Sequence, residues 1–394
     1  MTFLRIRSGL ALMAFCVAAA AGAEPAVQRS VALALNQAQA AYSAHHYRVA
    51  LQELQAIERK PRLTDYEAYL VQRSLGTVAA AAGEYSVSAD ALRKALGSKA
   101  GDSAVAGALA QTLIYADYQQ HDYHAVINDS QQWHAALQGN GQVRAMLQQA
   151  YGATHQCAGL AGLMGRDARD AGALASLVAC YQASGDTQGE RVALLELLQV
   201  QQTPAYWQAA LGLVADEPGV GSRYALDMLR LRRRVGLLDS ASQYMELAML
   251  ELEAQDASGA KRAIAAGYRA GALGQGAGAP RQARLARLVD QRLAAQPRSW
   301  LTIDHAPDST QLAAGLAMVD AGRIPQGLAL LKKAETGVAL ADAQLQNLRL
   351  AEVLGNVGHT RQAHAIAHSV ALHTTGALRD LARLWEVALL TSHG

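Results

Sequence analysis

Glu246–Gly271, ELAMLELEAQDASGAKRAIAAGYRAG, sets small residues where an ordinary amphipathic helix carries large ones, and breaks its apolar periodicity once, at Gln255-Asp256. A helical period runs up to that break and resumes beyond it, which predicts a helix, a tight turn and a second helix. The small residues have a physical reason. Two helices pack about 8 to 10 Å apart, and the nearer limit requires Ala, Gly or Ser at the crossing. Ala248 on the first helix and Ala260 on the second are the predicted crossing points.

The same pattern recurs along the chain: a Leu-Ala or similar pair, a turn seven residues on, and a small residue five past the turn's first position. Its clearest other copies are Leu75-Gly76, Gly83-Glu84, Ser88 and Leu350-Ala351, Gly358-His359, Ala363. Further turns are expected at His45-His46 with Ala50, His121-Asp122 with Val126, Gly185-Asp186 with Glu190, and Gly322-Arg323 with Gly327. From Gly322 to Gly358 the period is 36 residues. A unit around Leu147 to Gly165 is degenerate. A recurring unit of this size predicts stacked helical hairpins in an all-α fold.

Composition agrees. At 394 residues the chain exceeds one ordinary compact core. Hydrophobic residues make up 51% but aromatics only 5%, and both phenylalanines, Phe3 and Phe15, stand near the N-terminus. The core must therefore be built from Leu, Ala, Val, Tyr and Met, a mixture that favours close-packed helices.

These positions resemble the tetratricopeptide repeat, whose 34-residue unit carries a large residue, Leu and a small residue, an aromatic, a turn, and a small residue in the second helix. Tyr244, Leu247, Ala248, Ala260 and Ile264 match that order, and Tyr47, Ala50 and Leu54 come next; Trp207 fits the leading aromatic, before an apparent two-residue insertion in the turn Glu217–Gly221. The resemblance covers most of Val31 to Leu390 and implies an alpha-solenoid of stacked antiparallel helix pairs wound as a right-handed superhelix. Three repeat blocks are expected, 30–200, 204–293 and 300–394, with breaks at the glycine-rich Gly271–Pro280 and at Gln296–Thr310. Gly271–Pro280 reads as a connector and not as a phosphate loop, because no strand precedes it and no Lys-Ser/Thr follows. In the repeat family the inner surface comes from the first helix of each pair. Carried over, that gives a partner-binding groove of Gln39, Tyr42, Arg73, Thr77, Met249, Glu253, Glu352 and Asn356, suited to an extended peptide.

The N-terminus reads as an export signal over residues 1–23: Arg5 and Arg7, an apolar run Gly9 to Ala21, and a small-residue site Ala21-Gly22-Ala23 before Glu24. A periplasmic protein follows, with a retained anchor as the alternative; Phe15 before Cys16 is bulky where lipoprotein signals carry a small residue. Later segments offer no span of 18 uncharged apolar residues. Cleavage removes two arginines and no acid, leaving 33 basic against 33 acidic residues. That neutrality excludes a broad nucleic-acid surface, and the basic run Arg230–Arg234 reads as a solvated helix face.

Little points to chemistry. His364 and His368 stand four apart and His121 and His124 three apart, but neither pair has the intervening glutamate or the third ligand of a zinc site, so they read as exposed or turn-capping. No Gly-x-Ser-x-Gly elbow occurs. Glu251 and Glu253 face different sides of one helix and make a poor glycosidase pair. The expectation is a binding protein without a cofactor or metal, not an enzyme.

A narrower resemblance lies in the middle block. Tyr206-Trp207, Ala225 to Arg233, Gly236-Leu237-Leu238, Leu247-Ala248 and Gly267 to Leu273 look like exported repeat proteins encoded beside TonB, ExbB and ExbD components. That likeness implies a periplasmic adaptor binding a protein or extended peptide, such as a TonB-system component, in energy-coupled outer-membrane transport. The alternative is an assembly scaffold for polysaccharide export or outer-membrane machinery.

Two cysteines follow the export signal, Cys157 and Cys180. In an exported protein they form either a disulfide between adjoining helix ends, stabilising by about 3 kcal/mol through loop closure, or two buried free thiols. Alkylation of the unreduced, denatured chain separates the two: the bridge predicts no labelled cysteine after position 23, and free thiols predict label on both.

Overall fold

A computed structural model describes residues 27–60, 62–164, 170–217, 220–221, 223–334 and 340–390. The expected export signal and its expected cleavage site lie outside these residues, as does part of the expected insertion at Glu217–Gly221. Among the described residues all regular structure is helical. None of these helices is long and apolar enough to cross a membrane. Packing divides the chain into two compact units, Met1–Gly165 and Arg166–Gly394.

The first unit contains α1 (Arg29–Ser43), α2 (Tyr47–Glu58), α3 (Asp65–Ala82), α4 (Tyr85–Leu96), α5 (Ser103–Gln119), α6 (Tyr123–Gln132), α7 (Gly141–Ala153) and α8 (Cys157–Met164). Each helix packs on the next, and α1 on α3, α3 on α5 and α5 on α7, so the first helices of successive pairs also adjoin. The second unit contains α9 (Ala171–Ser184), α10 (Thr187–Val200), α11 (Pro204–Ala215), α12 (Ala225–Arg234), α13 (Ala241–Glu253), α14 (Ala257–Arg269), α15 (Ala279–Ser299), α16 (Asp308–Asp320), α17 (Ile324–Ala334), α18 (Leu340–Asn356), α19 (Thr360–His373) and α20 (Gly376–Leu390). Within it α20 returns to pack on α10, α11 and α12. Gln296–Thr310 does not part its flanks: it runs from the end of α15 through a 3-10 turn, and α14 touches α16 across it.

One backbone device makes the hairpins. At His45, Gly83, His121, His155, Gly185, Gln255, Gly322 and Gly358 the chain enters the left-handed region, with φ between 54° and 89°. The next residue's N–H then donates to the carbonyl five residues back, as in Asp256 N to Glu251 O at 2.8 Å and His359 N to Leu354 O at 2.9 Å. This is the Schellman closure, which satisfies carbonyls that a helix end leaves orphaned. Every turn expected from the sequence is among these, and the degenerate unit has one as well, with Gln156 N to Tyr151 O at 2.9 Å. At two of the left-handed histidines the ring offsets some of the strain: His45 Nδ1 bonds the Tyr47 hydroxyl at 2.7 Å and His121 Nδ1 that of Tyr123 at 3.1 Å.

Side-chain caps start the following helices. Asp122, Asp186 and Asp256 each accept a backbone N–H from the first turn of α6, α10 and α14. Thr64 and Glu67 form a reciprocal capping box at α3, and Glu67 also accepts from Gln28 N at 2.6 Å, tying the start of α1 to that of α3. Those donors hold the buried Glu67 carboxyl below its ordinary range.

The predicted crossing residues lie in the core. Ala50, Ala248, Ala260, Ala351 and Ala363 are fully buried, and Ser88 Oγ donates to Gly76 O at 2.8 Å across one hairpin. Cys157 at the start of α8 is buried and disulfide-bonded, and so is Cys180 near the end of α9. At α16–α17 two glycines replace the usual pair: a Cβ on Gly327 would lie 2.6 Å from Gly315 O and 2.7 Å from Val319 Cγ2. Gly327→Ala and Ala260→Leu should each overpack a crossing and cost roughly 1 to 3 kcal/mol; denaturant unfolding checks this, and either variant matching the wild-type midpoint would refute the close approach.

Candidate functional site

The groove residues carried over from the repeat family lie on first helices, as expected of their register, but in unlike surroundings. Gln39, Tyr42, Arg73 and Thr77 are half-buried on α1 and α3. Tyr42 packs on Tyr47 with ring centroids 5.4 Å apart, Arg73 lies over the Tyr69 ring at 5.6 Å, and the Thr77 hydroxyl bonds the Arg73 carbonyl at 3.0 Å. On the adjoining first helices the same surface continues in amides and phenols: Gln111 Nε2 donates to Gln142 Oε1 at 3.1 Å, and the Tyr118 hydroxyl to Gln149. Met249 and Glu253 are exposed on α13.

Glu352 and Asn356 are placed differently. Glu352 is fully buried and accepts from Arg230 Nη1 at 3.1 Å, and Asn356 donates to Asp320 Oδ1 at 3.2 Å. Glu352 is therefore an interior residue of the second unit, unable to line an open groove. The physical reason is its partner: Arg230 lies 122 residues away in sequence, and without that cation the carboxylate would belong in water.

Arg230 also overturns the reading of Arg230–Arg234 as a solvated face. It is 3% exposed and the centre of an ion cluster. Its Nε donates to Glu251 Oε1 at 3.0 Å and its Nη2 to Glu251 Oε2, a bidentate fork, while Asp256 Oδ2 stands 3.5 Å from Nη2. Next to it Arg349 forks onto Asp227 at 2.8 and 3.0 Å. So an Asp-x-x-Arg couple on α12 meets an Arg-x-x-Glu couple on α18 with opposite polarity. Arg262 pairs with the buried Asp320, which extends the cluster to α14 and α16.

Burial outweighs pairing for some of these acids. It pushes the Glu352 carboxyl up to about 8 and that of Asp256 up to about 6, while the facing carboxylates hold Arg230 well above its ordinary range. A smaller cluster in the first unit repeats the theme: Arg93 Nη2 bonds Asp117 Oδ1 at 2.7 Å and Asp129 Oδ2 at 3.2 Å, and burial raises Asp117 to about 7. Shifted acids often mark active sites when they line a cleft, but these are packed inside helices. Glu251 and Glu253 separate as the helical period requires, one buried and one exposed.

A separate ion pair ties α20 to α10. Arg191 Nη1 bonds Asp380 Oδ2 at 3.0 Å and its Nη2 the Leu213 carbonyl at 2.9 Å, and it also pairs with Glu217. Over α10, α19 and α20 a shallow depression of about 290 Å³ carries Val192, Leu195, Leu372, Val387 and Leu390, with Leu372 67% and Leu390 66% exposed. On its rim His364 and His368 stack 6.4 Å apart and His368 Nδ1 meets Glu386 Oε2 at 3.1 Å. Among the described residues no group of three or more His, Cys, Asp or Glu is placed to hold a metal ion.

No family model matches the chain, and no curated protein matches it.

The sequence offered two signals for the cluster that its charge counts concealed: the Asp227/Arg230 and Arg349/Glu352 couples at spacing three, and an acid at the same register before the turn in Asp117 and Glu251. Arg230→Met leaves three buried acids, Glu251, Asp256 and Glu352, without their cation and should cost about 3 to 5 kcal/mol. Exposed Glu253→Gln should stay within about 0.5 kcal/mol of wild type in the same denaturant titration; equal effects would show that the cluster does not hold the unit together.

Proposed function

We propose that this chain is an exported scaffold of tetratricopeptide type, a right-handed solenoid in the periplasm that binds protein partners in energy-coupled outer-membrane transport. The observation that carries the scaffold reading is the recurrence of one hairpin, with a left-handed residue at the same turn position and the same backbone closure at His45, Gly83, His121, His155, Gly185, Gln255, Gly322 and Gly358. Stacked hairpins of this kind bury a core between neighbours and leave a long surface free for contact. The half-buried amide, phenol and guanidinium groups of Gln39, Tyr42, Arg73 and Thr77 on α1 and α3 suit hydrogen bonding to an extended peptide with ring stacking beside it. Met249 and Glu253 offer a second, smaller contact on α13. The link to TonB, ExbB and ExbD rests on the resemblance of Tyr206 to Leu273.

Capture on the immobilised mature chain from cross-linked envelope extracts tests the reading. A TonB, ExbB or ExbD component or an outer-membrane receptor is the expected catch, with Tyr42→Ala and Arg73→Ala each weakening its Kd about tenfold. Recovery of polysaccharide-synthesis proteins alone would overturn the transport link. Unchanged affinity in both variants would move the contact off the first helices.

A further inference from the structure

The charges gathered around Arg230 do not balance. Five carboxylates, Asp227, Glu251, Asp256, Asp320 and Glu352, face four guanidinium groups, Arg230, Arg233, Arg262 and Arg349. The acids are the more deeply placed: the side chains of Asp227, Asp320 and Glu352 are all 0% exposed, against 21% for Arg349 and 37% for Arg262. Water thus screens part of the positive charge and almost none of the negative. An unbalanced carboxylate in such a place is costly, and the cheapest remedy is for one acid to keep its proton.

The hydrogen bonds single out which one. Glu251 takes two bonds from Arg230, Asp227 takes two from Arg349, Asp320 accepts from Asn356 Nδ2 through Oδ1 and pairs with Arg262 through Oδ2, and Asp256 caps α14 by accepting from Gly259 N at 2.8 Å. Glu352 has one arginine contact through Oε2, and its Oε1 is buried without a hydrogen-bond partner among the described residues. We infer that Glu352 keeps its proton at neutral pH, and that the seam between α12 and α18 is a latch held by that proton.

Asp227, Arg230 and Arg233 from α12 and Arg349 from α18 itself face Glu352, and Glu251 from α13, Asp256 from the turn before α14, Arg262 from α14 and Asp320 from α16 complete the cluster around them. Of the ionisable groups of α20, Asp380 pairs with Arg191 and Arg379, Glu386 meets His368, and Arg383 is exposed; α19 carries Arg361, His364, His368 and His373, all exposed or half-buried. Burial raises Glu352 to about 8, so the folded chain binds a proton there that the unfolded chain releases at the ordinary glutamate value. Stability from this site is therefore complete in acid and falls as pH rises from the ordinary glutamate range to about 8, with no further loss above that.

Two measurements on the full mature chain test the latch. Unfolding constants taken from pH 6 to 9 should rise about tenfold per pH unit until about pH 8 from the single proton of Glu352. Glu352→Gln should remove that slope, because the amide imitates the protonated acid. The control Asp117→Asn, which eliminates the other acid raised to about 7, should keep it. Infrared spectra of the folded Asp117→Asn chain at pH 7 should contain a carboxylic acid C=O band that vanishes above pH 9. Absence of that band at pH 7, or the same slope in Glu352→Gln as in wild type, would overturn the inference. Should Glu352→Gln fail to fold, the infrared titration decides alone.

Discussion

A guanidinium enclosed by carboxylates inside packed helices is tolerable only if every charge is answered, and the second unit is arranged around that requirement at Arg230. The side chain leaves α12 and meets acids from α13, the turn before α14, and α18, while Arg349 makes the reverse contact from α18 to Asp227. Helices distant in sequence are therefore fixed to one another by polarity as well as by apolar packing. A shift of α18 by one turn along α12 would strand both couples. Apolar side chains alone specify such a register weakly, since most slips still bury surface.

The same constraint explains why α20 returns to the beginning of the unit. Arg191, Glu217 and Asp380 hold its N-terminal end, and Arg234 Nε reaches the Ala388 carbonyl near its other end at 3.4 Å. Between them Leu381, Leu384 and Trp385 bury against the unit, Trp385 at 2% exposure. First-helix positions that would otherwise face solvent are enclosed in consequence. This separates Glu352 from Thr77, although both stand six residues before a turn. One binds an arginine inside the second unit, and the other remains on an accessible surface of the first.

Local physics is legible in the sequence because its causes are local. A left-handed turn needs Gly or a residue that tolerates positive φ, the next helix needs a cap, and a close crossing needs small residues at fixed distances on either side. Those requirements mark Gly83, Asp256, Ala248 and Ala260 without reference to anything far away. The unit at His155 is degenerate in sequence because Gln148 and Leu160 stand where the clearest copies carry small residues. Its backbone closes like the rest.

By itself the sequence determined the all-α class, the hairpin turns and the crossing residues, since each depends on spacing within about forty residues. Only the tertiary structure decided that Arg230 is interior, that Glu352 leaves the groove for the core, and that the stretch around Pro297 and Pro307 joins its flanks. Those outcomes depend on pairs such as Arg230 with Glu352 and Arg191 with Asp380, separated by 122 and 189 residues. A charge in a sequence carries no sign of whether it will meet its opposite or water, because the desolvation cost and the compensating contact arise only when the chain has packed.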